Sequence, residues 1–568
     1  MILADNARDL TKQALAIIDI CRASQAQRSA AYRVYATWRE TGRASGPLAL
    51  ANVLWSHLQR TASHLMSPGE LRFEIDFENH YPKDIQERGA MAARALSREW
   101  ERRNIDIMFG RGVFESLSYG ACILKNQSRR SSLNHQIDAR LVQPWQFAVF
   151  NESENSLSDQ EAVLETAYLT EPEVWRRVRN LDDPQKLFAR IKASASTEAK
   201  AGMPTSFMHQ VLSTAVLDVS LQNATRPQPG GVVQLTNDPN YATIGPTVAA
   251  QLYPFHELWL KDDERNNDWT TVQIFEPDIL VAPRFKHCNL FAPHTLPYGL
   301  IQANEVTDYF WGRSEIVDLM MLQEWLTSHL DDIKRIVGNQ ADGFYAFPGN
   351  DGLTDEEYVR RRGSGFMSMP PGSSAVDLTP KLPPEFIPLV DKIMWMMDRV
   401  SGFANILSGE GEPGVRAGVH ADTLKRMASP HLRDRALLIE RQCAERGDAT
   451  LALMEAKEAK VFWTKSDEDG VITESGDFLL DNLPEDRRAC VDSHSSSPIY
   501  HDDNANLISF GIRAGFITGE SAIEDLPFQH KDKLLQRLRD KEKAQQAMIA
   551  SLPPEDRAKA LAGGRRRR

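Results

Sequence analysis

The chain is short of the features that announce the commonest functions. Its five cysteines, Cys21, Cys122, Cys288, Cys443 and Cys490, are widely separated and form no CxxC pair. An odd, scattered set predicts reduced thiols in a cytosolic protein and excludes a disulfide framework. Nowhere do 18 apolar residues run together, so no membrane span is expected. The N-terminus, MILADNARDLTKQ, has an early acidic residue and no long apolar core, and is not read as a secretory signal. No Gly-Lys dipeptide occurs, which removes the lysine that a Walker A loop needs to meet phosphates. HExxH is missing too: HELWL at His256 lacks the second histidine, and no GxSxG nucleophile elbow is present. Basic charge is in deficit, with a net charge of −12, whereas a general nucleic-acid binder carries a basic surface. A protein that must let nucleic acid slide past without sticking is compatible with that balance.

What is there reads as folded. Hydrophobic content of 42% and charged content of 25% are ordinary for a globular chain, and 568 residues predict two to four structural units. Residues 1–66 read as helical, with Pro47 suited to a first helical turn in SGPLALANVLWSHLQR. LRFEIDFE, at 71–78, alternates as a strand does. A helical pattern at 82–119 is interrupted near Asn104 and stopped by Gly120, and a strand follows at 121–125. Residues 137–310 are mixed, with WQFAVF, AVLETAYL, AVLDVSL and TVQIFE as strand candidates. Thr170 and Glu173 form a capping-box pattern with Pro172 in the first turn. Pro, Asn and Gly cluster at 225–246, which predicts an exposed loop or hairpin.

The strongest periodicity follows. Leu319, Leu322, Leu326, Leu330, Ile333 and Val337 step by three or four, predicting a helix over 314–337 roughly 36 Å long at about 1.5 Å per residue. Ile316, Met320, Met321 and Trp325 widen its apolar surface, and such a helix needs neighbours on more than one side. Residues 342–380 break up into Gly, Pro and Ser with short extended pieces. A second helix begins at about Pro384, with Phe386, Leu389, Ile393, Met397 and Val400 in step. The glycine-rich GEGEPGVRAGVHADTLKR then leads into a third long helix over roughly 421–457. A strand pair near 461–473 and two or three helices precede the terminal GGRRRR.

Candidate chemistry is thin. His287, Cys288 and His294 lie close in sequence, as do His494, His501, Asp502 and Asp503, but neither group has a zinc-site spacing. They read as loop or interface residues. IMWMM, at 393–397, reads as packing or subunit interface. The triplet Arg360, Arg361 and Arg362 and the terminal Arg565 to Arg568 read equally as phosphate contacts or as solvated charge. No cofactor and no metal is expected.

The order of helix, Gly/Pro-rich insertion, helix, glycine-rich loop and long helix is similar to that of the portal (head-to-tail connector) proteins of tailed bacteriophages, particularly short-tailed, podovirus-type phages. Four stretches carry the resemblance, which covers roughly residues 50–530. FESLSYGACILK, from Phe114, resembles the wing helix and strand. YFWGRSEIVDLMMLQEWL, from Tyr309, resembles the lead-in to the first stem helix. ADGFYAFPG resembles the opening of the clip, and GEPGVRAGVHADTLKRM the tunnel loop with the helix behind it. The implied fold is α+β, mainly α: a portal-type protomer of wing, stem, clip and crown that assembles into a ring. Its parts would be an N-terminal wing at 1–308, a first stem helix at 309–341, the clip at 342–382, a second stem helix at 383–405 and the tunnel loop at 406–420. A long wing helix at 421–457, a C-terminal wing or crown at 458–530 and a helical extension with a basic tail at 531–568 would follow. Nothing in the resemblance accounts for residues 180–246.

The resemblance implies about twelve copies around a channel for double-stranded DNA, at one vertex of a virion assembled in the host cytoplasm, and no enzymatic activity. Gly409, Gly411, Gly414, Arg416, Gly418 and His420 would line the channel. Leu319, Leu322, Leu326, Leu330, Ile333, Val337, Ile393 and Met397 would form the stem and subunit interface. Phe344, Tyr345, Phe347, Arg360, Arg361 and Arg362 would form the clip that docks terminase and then tail adaptor proteins. Major capsid and scaffold proteins are further implied partners, with no membrane. A sparse ring of arginines suits a pore that must pass DNA, because each arginine–phosphate contact adds salt-dependent affinity. Two other readings stand beside this one. One is another ring-forming head-tail or collar protein. The other is a metal-dependent nucleic-acid-processing enzyme, which needs carboxylates clustered on strand ends, whereas Asp331 and Asp332 fall in a helical pattern.

Overall fold

Backbone conformations that few residue types tolerate mark the joints of the N-terminal helices. The computed structural model describes residues 7–44, 48–66, 71–130, 135–194, 252–263, 268–282, 291–292, 294–342, 345–348, 366–369, 376–377, 381–401, 430–457, 460–466, 472–480 and 483–491. Helices α1 (Ala7–Arg22), α2 (Gln25–Thr41) and α3 (Val53–Leu65) come first. α3 starts later than Pro47: the Asn52 side chain accepts a hydrogen bond from the Trp55 N–H at 3.1 Å, the stronger starting signal. α4 (Lys83–Arg102) and α5 (Ile105–Tyr119) are separated at Asn104, whose φ of 53° is the left-handed conformation that asparagine tolerates. Gly120 ends α5 at φ 93°, and a Cβ there would lie 2.5 Å from the Trp311 carbonyl oxygen, so only glycine fits.

Strands distant in sequence then pair. β1 (Phe73–Phe77) is antiparallel to β15 (Arg487–Val491), joining the N-terminal part to a late segment of the chain. β2 (Cys122–Arg130) lies between β3 (His135–Val142) and β9 (Tyr298–Ile301) in an antiparallel three-stranded sheet. A five-stranded antiparallel sheet runs in chain order through β4 (Phe147–Val149), β5 (Ala162–Thr170), β6 (Leu252–Asp262), β7 (Asp268–Phe275) and β8 (Ile279–Ala282). After β5 the chain forms α6 (Glu171–Val178) and α7 (Pro184–Ser194). The Thr170–Glu173 capping box is present, with Glu173 Oε2 accepting from the Thr170 N–H at 2.8 Å.

The long helix α8 (Glu315–Asp342) exceeds the sequence expectation by five residues at its C-terminal end and would be about 42 Å long at about 1.5 Å per residue. Beyond it, β10 (Tyr345–Pro348), β11 (Phe366–Met369) and β12 (Val376–Asp377) form a small sheet with β10 central. β10 is parallel to β11 and antiparallel to β12. α9 (Phe386–Val400) returns along α8, and α10 (Pro430–Ala456) follows. A hairpin of β13 (Lys460–Ser466) and β14 (Ile472–Leu479) starts where a strand pair is expected and runs six residues beyond 473.

One apolar core collects residues distant in sequence: Trp38, Leu58, Trp100 and Phe109 join Ile439, Cys443, Leu453 and Ala489. Smaller cores lie between α1 and one face of the five-stranded sheet, and under α6 and α7. The fold is mixed α/β, with about 55% helix and 22% strand among the described residues, so helix predominates as expected. Its mostly antiparallel pairing sets it apart from doubly wound βαβ folds. Among the described residues no helix is long and apolar enough to cross a membrane.

Candidate functional site

Polar bolts fix α8 where it leaves the core. Ser314 donates to the Ser118 carbonyl at 2.6 Å. Glu315, 6% exposed, pairs with Arg435 of α10 and lies 3.3 Å from the His57 Nε2 of α3. Gln323 is fully buried: its Nε2 donates to the Ala51 carbonyl at 2.8 Å, and its Oε1 accepts from the Leu54 N–H. Burial then fades along the helix. Leu319 and Leu326 are buried, Leu322 and Leu330 are partly buried against the same core, Ile333 is half-buried, and Val337 is 48% exposed. α9 covers the middle of α8 with Ile393 and Met397, and its Phe386 ring stacks on His329 at 4.4 Å. The result is a packed pair of helices with the small β10–β12 sheet between them in sequence.

The eight residues expected at the stem or subunit interface differ in their surroundings within one chain. Leu319 and Leu326 of α8 and Ile393 and Met397 of α9 belong to the chain's main apolar core. Other apolar side chains stay uncovered: Met321 (71% exposed) and Trp325 on α8, Ile387 (61%) and Met394 on α9. Met321 and Trp325 are four residues apart, hence on one face, and Ile387 and Met394 share a face seven residues apart. Trp395 is also exposed but holds Lys392 Nζ 3.8 Å from its ring centroid and Arg399 at 4.9 Å.

Of the clip residues, Tyr345 and Phe347 lie in β10, paired with Phe366 and Ser368. Phe344, Arg360, Arg361 and Arg362 lie outside the described residues, as do Gly409, Gly411, Gly414, Arg416, Gly418 and His420 of the expected tunnel loop. The same holds for Pro47, Cys288, residues 201–250 and everything after 491.

Sequence reading missed a polar cavity of about 730 Å³ between the two main sheets, α6 and the end of α10. An ion cluster forms part of its wall. Lys125 Nζ lies 2.7 Å from Glu165 and 2.6 Å from Glu257. Arg140 takes the other Glu165 oxygen, and the Tyr298 hydroxyl lies 2.8 and 3.0 Å from the two carboxylates, sharing its one proton between them. Burial alone would raise the Glu165 carboxyl, but Lys125 and then Arg140 hold it well below the usual range. Burial, with both carboxylates adding to it, pushes the Tyr298 phenol well above its ordinary value. The cluster brings together residues from β2, β3, β5, β6 and β9. No local motif in the sequence signals such a meeting.

A second arrangement was equally illegible. His256 Nδ1 lies 3.1 Å from Thr166 Oγ1, and its Nε2 lies 3.1 Å from Glu276, which also pairs with Arg22 of α1. A hydroxyl, an imidazole and a carboxylate in series suggest nucleophilic catalysis. Thr166 is 3% and His256 1% exposed, however, so no substrate reaches the hydroxyl, and the series ties α1 to the sheet. Among the described residues no three His, Cys, Asp or Glu gather closely enough to hold a metal ion. Asp331 and Asp332 lie on α8, paired with Arg43 and Arg335. Compared with known proteins, the sequence matches no family model and no curated protein.

Proposed function

We propose that the chain is a portal-type subunit, about twelve of which close into a ring that passes double-stranded DNA at one vertex of a phage capsid. The observation that carries this reading is the two-helix pair whose apolar flanks are unmet among the described residues. Met321 and Trp325 on α8, with Ile387 and Met394 on α9, are what a helix pair needs if each pair packs against its neighbours in a ring. Exposure rising from Leu326 to Val337 fits a stem leaving a broad wing, and the β10–β12 sheet at its far end fits a clip that docks terminase and later tail adaptors. The order of stretches that resembles the portal family supports the same reading from the sequence side. The protein's work is then mechanical: it holds an opening in the capsid, and the glycine-rich loop with Arg416 meets the DNA. ATP hydrolysis is left to the terminase. Imaging of the purified chain tests the proposal. Closed rings with an axial hole that admits duplex DNA support it, and isolated subunits at high protein concentration overturn it.

A further inference from the structure

In the cavity beside the Lys125 cluster the carboxylates are already engaged, while some of the cations are not. Both Glu165 oxygens are occupied, by Lys125 with Tyr298 and by Arg140. Both Glu257 oxygens are occupied as well, one by Lys125, Tyr298 and the Trp259 indole N–H, the other by Gln273 at 3.3 Å. Glu173, the remaining carboxylate of the lining, has one oxygen engaged by the α6 cap. Four lysines and arginines line the cavity against three glutamates. Two cations are left over: Lys457, just past α10, and Arg177, on the last turn of α6. The Arg177 guanidinium carbon sits 4.2 Å over the Phe255 ring centroid, and it makes no ion pair among the described residues. Stacking holds the planar fork in place without using its N–H groups, which suits it to an oxyanion.

A second, independent observation concerns Asn126. It is fully buried and lines the same cavity; its Nδ2 donates to Thr450 Oγ1 at 2.9 Å, while its Oδ1 has no partner. A buried amide oxygen without a donor is costly, and a bound group that supplies one removes the cost. The volume of about 730 Å³ lies within the range of small-molecule sites and far exceeds a bare ion.

We infer that this cavity binds a small organic anion, its carboxylate or phosphate on Arg177 and a hydroxyl or amino group donating to Asn126. The site needs no second subunit, so it stands whether or not the chain forms a ring. Binding would clamp α6, the two sheets and the end of α10 together, since each contributes to the lining.

Isothermal titration calorimetry on the purified full chain tests this with glutamate and citrate as carboxylates, ribose 5-phosphate as an organic phosphate, inorganic phosphate as a bare anion and ethylammonium as a cation. At least one organic anion is expected to bind, and the carboxylate and phosphate arms tell which headgroup the fork prefers. Arg177→Ala, a change at an exposed position, is expected to weaken that binding about tenfold or more while leaving the far-UV circular dichroism unchanged. Arg177→Lys, which keeps the charge and loses the fork, is expected to fall between the two. The inference is overturned if no organic anion binds at millimolar concentration, if Arg177→Ala binds as well as the native chain, or if ethylammonium is preferred. Equal affinity for inorganic phosphate overturns the part assigned to the organic body.

Discussion

Asp448 sits on α10 with its carboxylate accepting from the Ala489 N–H of β15, and burial pushes its carboxyl up to about 6. An unfolded aspartate titrates near 3.9. The folded state therefore holds this proton more tightly, so stability falls as pH rises from about 4 to about 6 and is constant in this respect above that. Asp448→Asn keeps an oxygen for the Ala489 N–H and removes the charge. It is expected to stabilise the protein at pH 7.5 by up to about 2 kcal/mol, with the gain vanishing by pH 4; urea midpoints across that range check it. Leu326, 1% exposed, tests the opposite hazard. Leu326→Asp places an unpaired charge in the core and is expected to cost on the order of 4 kcal/mol or more, seen as loss of cooperative unfolding and of any assembly. At this scale the sequence was readable where partners are near neighbours. The Thr170–Glu173 box, Asn104 and Gly120 all declare themselves within four residues. The series Thr166–His256–Glu276 does not, because β5 and β6 pair across more than eighty intervening residues and only the folded sheet aligns them.

The elements follow their periodicity, and their boundaries follow their caps. The three-and-four stepping of leucines foretold α8, and the strand patterns foretold β5, β7 and the β13–β14 hairpin. Which face of α8 would be covered was not foretold, because apolar residues occur on several of its sides. Packing decides it: Leu319 and Leu326 join the core, while Met321 and Trp325 stay exposed. The consequence is a sharp contrast between changes at neighbouring positions of one helix. The double change Met321→Lys with Trp325→Ser removes exposed apolar surface only, so thermal unfolding is expected to stay within about 0.5 kcal/mol of native per site. Association between chains is expected to weaken, seen as a shift to smaller species in size-exclusion chromatography. An unshifted profile would mean that this face is not where copies meet. Leu326→Asp, by contrast, fails through the fold of the single chain.

Across the whole molecule, the N-terminal part and the late segment around β15 share one core and one sheet pairing, which no division of the sequence into successive domains conveys. The proposed ring follows from what the α8–α9 pair leaves exposed. If Arg416 faces DNA in the channel, Arg416→Glu is expected to leave assembly intact while lowering the yield of DNA-filled capsids; an unchanged yield would remove the loop from the DNA path. The most direct check of the central claim is the mass of the purified chain in solution by light scattering. The account predicts a closed species of roughly twelve times the 63.9 kDa of one chain, lost in the Met321→Lys, Trp325→Ser variant. A single-chain mass that persists as protein concentration is raised would contradict it.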